Sequence, residues 1–185
     1  MKHVVTLSTE RPLEASAEFR IGVRSVPYLA DHAFQDMVVL PGSFYIEMAL
    51  SVDRELSKGV PGLVRNVTFH NPIILSSEDT AIKVEVRDHG DRRVEYMFYE
   101  AGVEDGSDQP PGQQYAAKLE IDRNQSTSLE TSIDAFSIEA FQAQSGDVID
   151  SEQFYKTLRE NGNQYGPRFQ NVSSIWRAGD QSLGR

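Results

Sequence analysis

Polar and apolar residues alternate through 15–26 (ASAEFRIGVRSV), the spacing of a half-buried strand. A short irregular link, 27–32, follows, then the apolar run Met37-Val38-Val39-Leu40 and Pro41-Gly42-Ser43. Over 43–56 the period changes. Phe44, Met48, Val52 and Leu56 recur every four residues, and Ile46, Ala49 and Leu50 widen that face, which predicts a mostly buried helix. Gly59 and Pro61 end it. Strand-like runs then occupy 63–69, 73–75, 81–87, 94–101 and 114–121, with a hairpin around His89-Gly90-Asp91. Residues 104–112 (EDGSDQPPG) read as a polar loop. One early helix followed by antiparallel strands predicts an α+β fold, a curved sheet wrapped around that helix.

The pattern breaks after Asp122. Residues 123–132 (RNQSTSLETS) are polar, and the stretch 123–149 reads as a linker between a first domain, 1–122, and a second segment, 150–185. In that segment Asp150 opens a helix to Glu160, with Phe154, Tyr155 and Leu158 on its inner side, and Asn161-Gly162 stops it. Residues 168–175, and those from Ser182 onward, read as a pair of strands. A lone hairpin buries little surface, so the expectation is either a second domain cut short after its first elements or last elements that lean on the first domain or on another chain.

Composition narrows the function classes. The 185 residues are 39% hydrophobic and 25% charged, as in a globular protein. Eighteen basic against 28 acidic side chains give a net charge of −10. That balance argues against non-specific nucleic-acid binding and against docking through charge on an anionic membrane. No apolar stretch approaches the length needed to cross a bilayer, and no signal-like core opens the chain, so a cytoplasmic setting is the default expectation. With no cysteine, disulfides, thiolate metal sites and a cysteine nucleophile are excluded.

Two stretches carry candidate chemistry. In the first, His32 lies in the link before the helix, and Pro41-Gly42 stand at the helix start. An imidazole there can face a cavity and remove a proton from carbon. Backbone N–H groups at a helix N-terminus can polarise a carbonyl, and glycine lets a substrate oxygen come close. Taken alone, a histidine in such a link is more often just a loop residue. The second stretch is Tyr165-Gly166-Pro167-Arg168-Phe169-Gln170, which alone reads as a turn feeding a strand, with Tyr165 and Phe169 in a core. His3, His70 and His89 have no partner at ligand spacing, so no metal site is expected, and His70 reads as structural. Trp176 reads as sheet packing. There is no Gly-rich phosphate loop and no Gly-x-Ser-x-Gly elbow.

The two stretches in this order resemble the dehydratase domains of modular polyketide synthases and related megasynthases. Those domains carry His-x-x-x-Gly-x-x-x-x-Pro in a first hotdog and Tyr-Gly-Pro-x-Phe entering a second. The resemblance spans 13–185 and is strongest over 28–50 (YLADHAFQDMVVLPGSFYIEMAL) and 150–170. It implies a hotdog fold with the beginning of a second hotdog. The implied reaction dehydrates a 3-hydroxyacyl thioester, carried by phosphopantetheine on an acyl carrier protein, to the 2-enoyl thioester. His32 would be the base, with Pro41, Gly42, Tyr165, Gly166 and Pro167 around the substrate, and no cofactor is required. Other synthase domains are implied partners, and a homodimer is compatible with the resemblance.

Two departures stand out. The family glycine four residues after the histidine is Asp36, which implies either a strained turn or a left-handed residue that aspartate tolerates. The family's general acid, an aspartate in Asp-x-x-x-Gln or Asp-x-x-x-His, has no counterpart after Gln170. Asp180 reads as a turn residue, so the acid is expected beyond residue 185. Two alternatives stay open: a hotdog thioesterase or enoyl isomerase using Glu47 or Asp36, and a non-catalytic structural or docking module.

Overall fold

In a computed structural model the described residues are 3–7, 14–59, 62–90, 92–101, 115–123 and 137–185. In chain order they form β1 (His3–Leu7), β2 (Glu14–Ile21), a 3-10 turn (Pro27–Asp31), β3 (His32–Phe34), β4 (Met37–Val38), α1 (Gly42–Leu56), β5 (Leu63–Phe69) and β6 (Thr80–Asp88). There follow β7 (Arg93–Glu100), β8 (Ala117–Asp122), α2 (Ile138–Gln144), β9 (Asp147–Asp150), α3 (Ser151–Glu160), β10 (Asn163–Tyr165), β11 (Ser174–Ala178) and β12 (Gln181–Gly184). The expected loop at 104–112 lies outside the described residues.

The chain divides into two units, Met1–Leu29 with Val39–Ser128, and Ala30–Val38 with Leu129–Arg185. The first is a six-stranded sheet in the order β1-β2-β6-β7-β8-β5, antiparallel throughout. Alternation along β6 and β8 puts Ile82, Val84, Val86, Leu119 and Ile121 into the core. The expected hairpin joins β6 to β7. His89 N–H donates to Arg93 O at 3.1 Å, and Gly90 N–H donates to Asp88 Oδ1 at 2.7 Å. Strand β2 is shorter than the alternation predicts. A turn at Gly22 stops it, with Val26 N–H donating to Gly22 O and Val23 N–H to Ser76 O.

Helix α1 lies against this sheet, giving the hotdog arrangement. The buried stripe is Tyr45, Met48, Ala49, Val52 and Asp53, whereas Phe44 and Leu56 are half-buried. The four-residue recurrence misses Tyr45 and Asp53 because a strict period of four drifts about 40° per step on a helix of 3.6 residues per turn. Tyr45 stands edge-on to Phe98 of β7 and Phe69 of β5, with ring centroids 5.3 and 5.7 Å apart. Asp53, 3% exposed, is the unexpected core residue. Tyr96 Oη donates to its Oδ1 at 2.8 Å, and Arg123 donates from Nε at 3.1 Å and also from Nη2. Residues 73–75 are not a strand; they contribute one isolated bridge, Ile74 to Val39.

The second unit holds two small antiparallel sheets, β10-β3-β4 and β12-β11-β9. Three expectations are corrected here. The stretch 123–149 is not linker throughout. Ser137 caps α2 by accepting from Ala140 N–H at 3.1 Å, Phe141 is buried, and β9 pairs with β11. Residues 168–175 are not one strand, because a turn held by Phe169 N–H to Gly166 O occupies the first part and β11 begins at Ser174. His32 does not group with the first domain, because its strand pairs with β10. The helix expected from Asp150 forms as α3, where Asp150 Oδ1 accepts from Gln153 N–H at 2.8 Å.

Candidate active site

Strands β3 and β10 bring the two candidate stretches together. In the antiparallel register His32 stands opposite Tyr165, Ala33 opposite Gln164 and Phe34 opposite Asn163. Side chains directly opposite in such a ladder share one face. The His32 and Tyr165 rings accordingly stack at 5.2 Å with 28° between their planes. Phe169 closes on the imidazole at 5.0 Å, tilted by 56°, and lies 6.3 Å from Tyr165. Two aromatic rings thus flank a half-buried imidazole. Such packing fixes ring orientation, which a base needs to meet a particular C–H bond.

The backbone around Tyr165 is pinned from several sides. Tyr165 O accepts from Gln170 Nε2 at 2.6 Å. Gly166 N–H donates to Asp31 O at 2.8 Å, and Arg168 N–H donates to Asp31 Oδ2 at 2.9 Å. Pro167, between them, has no N–H to satisfy. A side chain at Gly166 would overlap the Asp31 carboxyl group, which explains why this position is glycine. Tyr155 of α3 bridges the exit of the turn, accepting from Val172 N–H at 2.9 Å and donating to Phe169 O at 3.4 Å.

The β3–β4 turn answers the question raised by Asp36. Gln35 and Asp36 both have positive φ, 48° and 64°, so the aspartate does take the left-handed conformation. Its backbone N–H donates to Gln164 Oε1 and its Oδ1 accepts from Gln164 Nε2, each at 2.8 Å. Both carboxylates next to His32 in sequence are therefore engaged, Asp31 with Arg168 N–H and Asp36 with Gln164.

Pro41 and Gly42 belong to the first unit. Pro41 is the N-cap of α1, with φ −62° and ψ 144°, and makes no side-chain cap bond. Its carbonyl accepts from Phe44 N–H at 2.9 Å. A Cβ at Gly42 would lie 2.9 Å from the tip of the Phe69 ring. Asp180 is exposed in the two-residue link between β11 and β12, as its sequence reads. Glu47 is exposed on α1, within 3.5 Å of Ser51 Oγ. His70 stands edge-on to Tyr115 at 4.6 Å, a structural contact. Among the described residues no group of three His, Cys, Asp or Glu could hold a metal, and no helix is long and apolar enough to cross a membrane.

Sequence reasoning placed Phe169 in a core and overlooked Asp31 and Gln164. The signal for Phe169 was present: Gly166-Pro167 turns the chain back, so residues four apart can meet on one side. Nothing local marks Asp31 or Gln164, since each partner is more than 120 residues away.

Residues 4–101 match the family described as the polyketide synthase dehydratase domain, and residues 133–185 match the polyketide synthase dehydratase N-terminal domain. Polyketide synthase GfsE of Streptomyces halstedii is 28% identical over 164 residues, covering 88% of this chain and 4% of that protein. The dehydratase domain of a mycocerosic acid synthase-like polyketide synthase superposes with a TM-score of 0.75 at 22% identity, over 96% of this chain and 56% of that one. The CurK dehydratase has been solved as two inactive mutants, histidine to phenylalanine and aspartate to asparagine. Their TM-scores are 0.77 and 0.76 at 17% and 18% identity, over 98% and 97% of this chain and 61% and 60% of theirs. At these identities the structural likeness is one of fold.

Proposed function

The chain belongs to the polyketide synthase dehydratase domain family, and from that premise we propose that it contributes the base half of a dehydratase acting on a 3-hydroxyacyl thioester. The observation that carries this reading is the His32–Tyr165–Phe169 cluster, in which the imidazole is held by the motif expected to line the acyl chain. The inactive histidine and aspartate mutants of CurK support a pairing of one histidine with one aspartate in such enzymes.

In this reading His32 takes a proton from C2. The electron pair left behind forms the C2–C3 double bond as the C3–O bond breaks, and the departing hydroxide is protonated to water. Hydroxide is a poor leaving group, so the reaction calls for an acid. Neither Asp31 nor Asp36 suits that part, because each already accepts a hydrogen bond from the neighbouring motif. Tyr165, stacked on the base, is the hydroxyl proposed to donate toward the leaving group. The substrate's carrier is proposed to be an acyl carrier protein within the same synthase. A thioesterase acting through Asp36 loses support, since its carboxylate is held by Gln164.

The test follows loss of water by mass spectrometry from a 3-hydroxyacyl carrier protein. The 185-residue chain and a whole dehydratase domain built on it are each assayed with and without His32→Ala. The whole domain is expected to turn over and to lose at least about 10²-fold in rate on His32→Ala, the lower end of general-base contributions. Unchanged turnover in that variant would remove His32 from the mechanism.

A further inference from the structure

We infer that Asp31 is a positioning residue for His32: its carboxylate holds the Gly166–Arg168 turn so that Phe169 closes on the imidazole opposite Tyr165. The inference rests on the reading of His32 as the base. Asp31 ends the 3-10 turn immediately before β3 and meets the second motif through two different groups. Its carbonyl accepts from Gly166 N–H, extending the β3–β10 ladder by one bond beyond the His32–Tyr165 pair. Its Oδ2 accepts from Arg168 N–H at 2.9 Å, two residues further on. The chain therefore folds over the carboxyl group between these bonds, and the absent side chain of Gly166 gives it room. Phe169 follows directly, its N–H bonded to Gly166 O at 2.9 Å. The second ring on His32 thus hangs from a turn whose inner face is the Asp31 carboxylate. The ladder alone fixes Tyr165. Phe169 lies outside it, and its approach depends on the turn.

The geometry has a direct spectroscopic signature. Rings 5.0 and 5.2 Å from an imidazole displace its proton resonances, so the His32 Hε1 signal reports the stack in the intact chain. His32→Ala assigns the signal, and Phe169→Ala gives its position with the Tyr165 ring alone beside it. Asp31→Ala is expected to move the signal most of the way to that position. Asp31→Asn, which keeps an oxygen able to accept from Arg168 N–H, is expected to restore it. Should Asp31→Ala fail to fold, Gly166→Ala reaches the same state with Asp31 in place. Gly166 has no left-handed backbone, so the added methyl conflicts with the Asp31 carboxyl and pushes the turn outward. A folded Asp31→Ala or Gly166→Ala protein with His32 Hε1 at its original position overturns the inference. So does an Asp31→Asn protein that matches Asp31→Ala. These outcomes are independent of turnover: loss of the stack with an active His32→Ala domain would spare Asp31's role and reject the base, whereas the reverse would reject Asp31's role alone.

Discussion

Gln164 reads Asp36 twice, accepting from its backbone N–H and donating to its carboxylate, both at 2.8 Å. One side chain on β10 thus recognises the conformation and the identity of the turn residue that joins β3 to β4. A left-handed residue costs about 1–2 kcal/mol when it carries a side chain, and the reciprocal pair offsets part of that.

Exchanging Asp36 for glycine removes the backbone cost together with one hydrogen bond, so Asp36→Gly is expected to stay within about 0.5 kcal/mol of the parent, inside the ordinary range for surface changes. Asp36→Val loses the bond and places a β-branched residue at a φ of 64°, and is expected to cost at least about 1–2 kcal/mol. Gln164→Ala falls between them, at about 0.5–1.5 kcal/mol. Urea unfolding of the three variants measures the order. Asp36→Gly as the most damaging would contradict it.

In the first unit, the buried Asp53 is satisfied by Tyr96 and Arg123. Asp53→Ala leaves the half-buried Arg123 guanidinium and the buried Tyr96 hydroxyl without their shared acceptor and is expected to cost about 3 kcal/mol, the lower end for a broken buried pair. Tyr96→Phe removes one bond to a charged group and leaves Arg123 in place, for about 1.5–3 kcal/mol. The double variant is expected to cost less than the sum, because both single changes break one network. Additive losses would show that the contacts act separately.

Alkaline pH is expected to destabilise the same unit. Burial first, then the nearby Glu100 charge, push the Tyr45 hydroxyl up to about 12, against the effect of the Ile73 backbone. Burial and Asp53 raise Tyr96 as well. Both shifts are upward, so the folded state keeps these protons after the unfolded chain has lost them. Their stability contribution is whole below pH 10, the ordinary tyrosine value, and declines as pH climbs from there. The slope is about 1.4 kcal/mol per pH unit for each tyrosine. Tyr45→Phe is expected to flatten the decline, measured by denaturation midpoints across pH 8–12. An unchanged slope would mean that Tyr45 titrates normally.

A base can exchange a C2 proton even where hydroxide is not expelled. The 185-residue chain is therefore expected to wash deuterium from solvent into C2 of an acyl thioester lacking the 3-hydroxyl, and His32→Ala to stop it. Equal incorporation by both proteins would mean that His32 is not the base.

Much of this was legible in the chain. Alternation along β6 and β8 and the helical period of α1 record local geometry, so these strands and the helix could be read within a few residues. The identity of the buried helix face was less legible, since Tyr45 and Asp53 enter the core through partners on β5, β7 and the end of β8. The strand from 147 and the short α2 lie just past the polar run 123–132, and their few apolar residues, Ile138, Phe141, Val148 and Ile149, are too short a series to mark a period. At the site, the two stretches were visible as patterns, but their pairing was not. Only the β3–β10 ladder reveals that His32 faces Tyr165, and only the fold shows why position 166 is bare.

The division of the chain is not linear, because the nine residues Ala30–Val38 leave the first unit, pair with β10, and return. A recombination junction anywhere between Val39 and β9 would part the histidine's strand from the strand that holds it. Swapping the C-terminal segment alone between related synthases would then graft a foreign Tyr-Gly-Pro turn onto a native Asp31 and Asp36. Exchanges that keep both partners of the stack from one parent have to carry two separate pieces of gene together, 30–38 and the segment from 137.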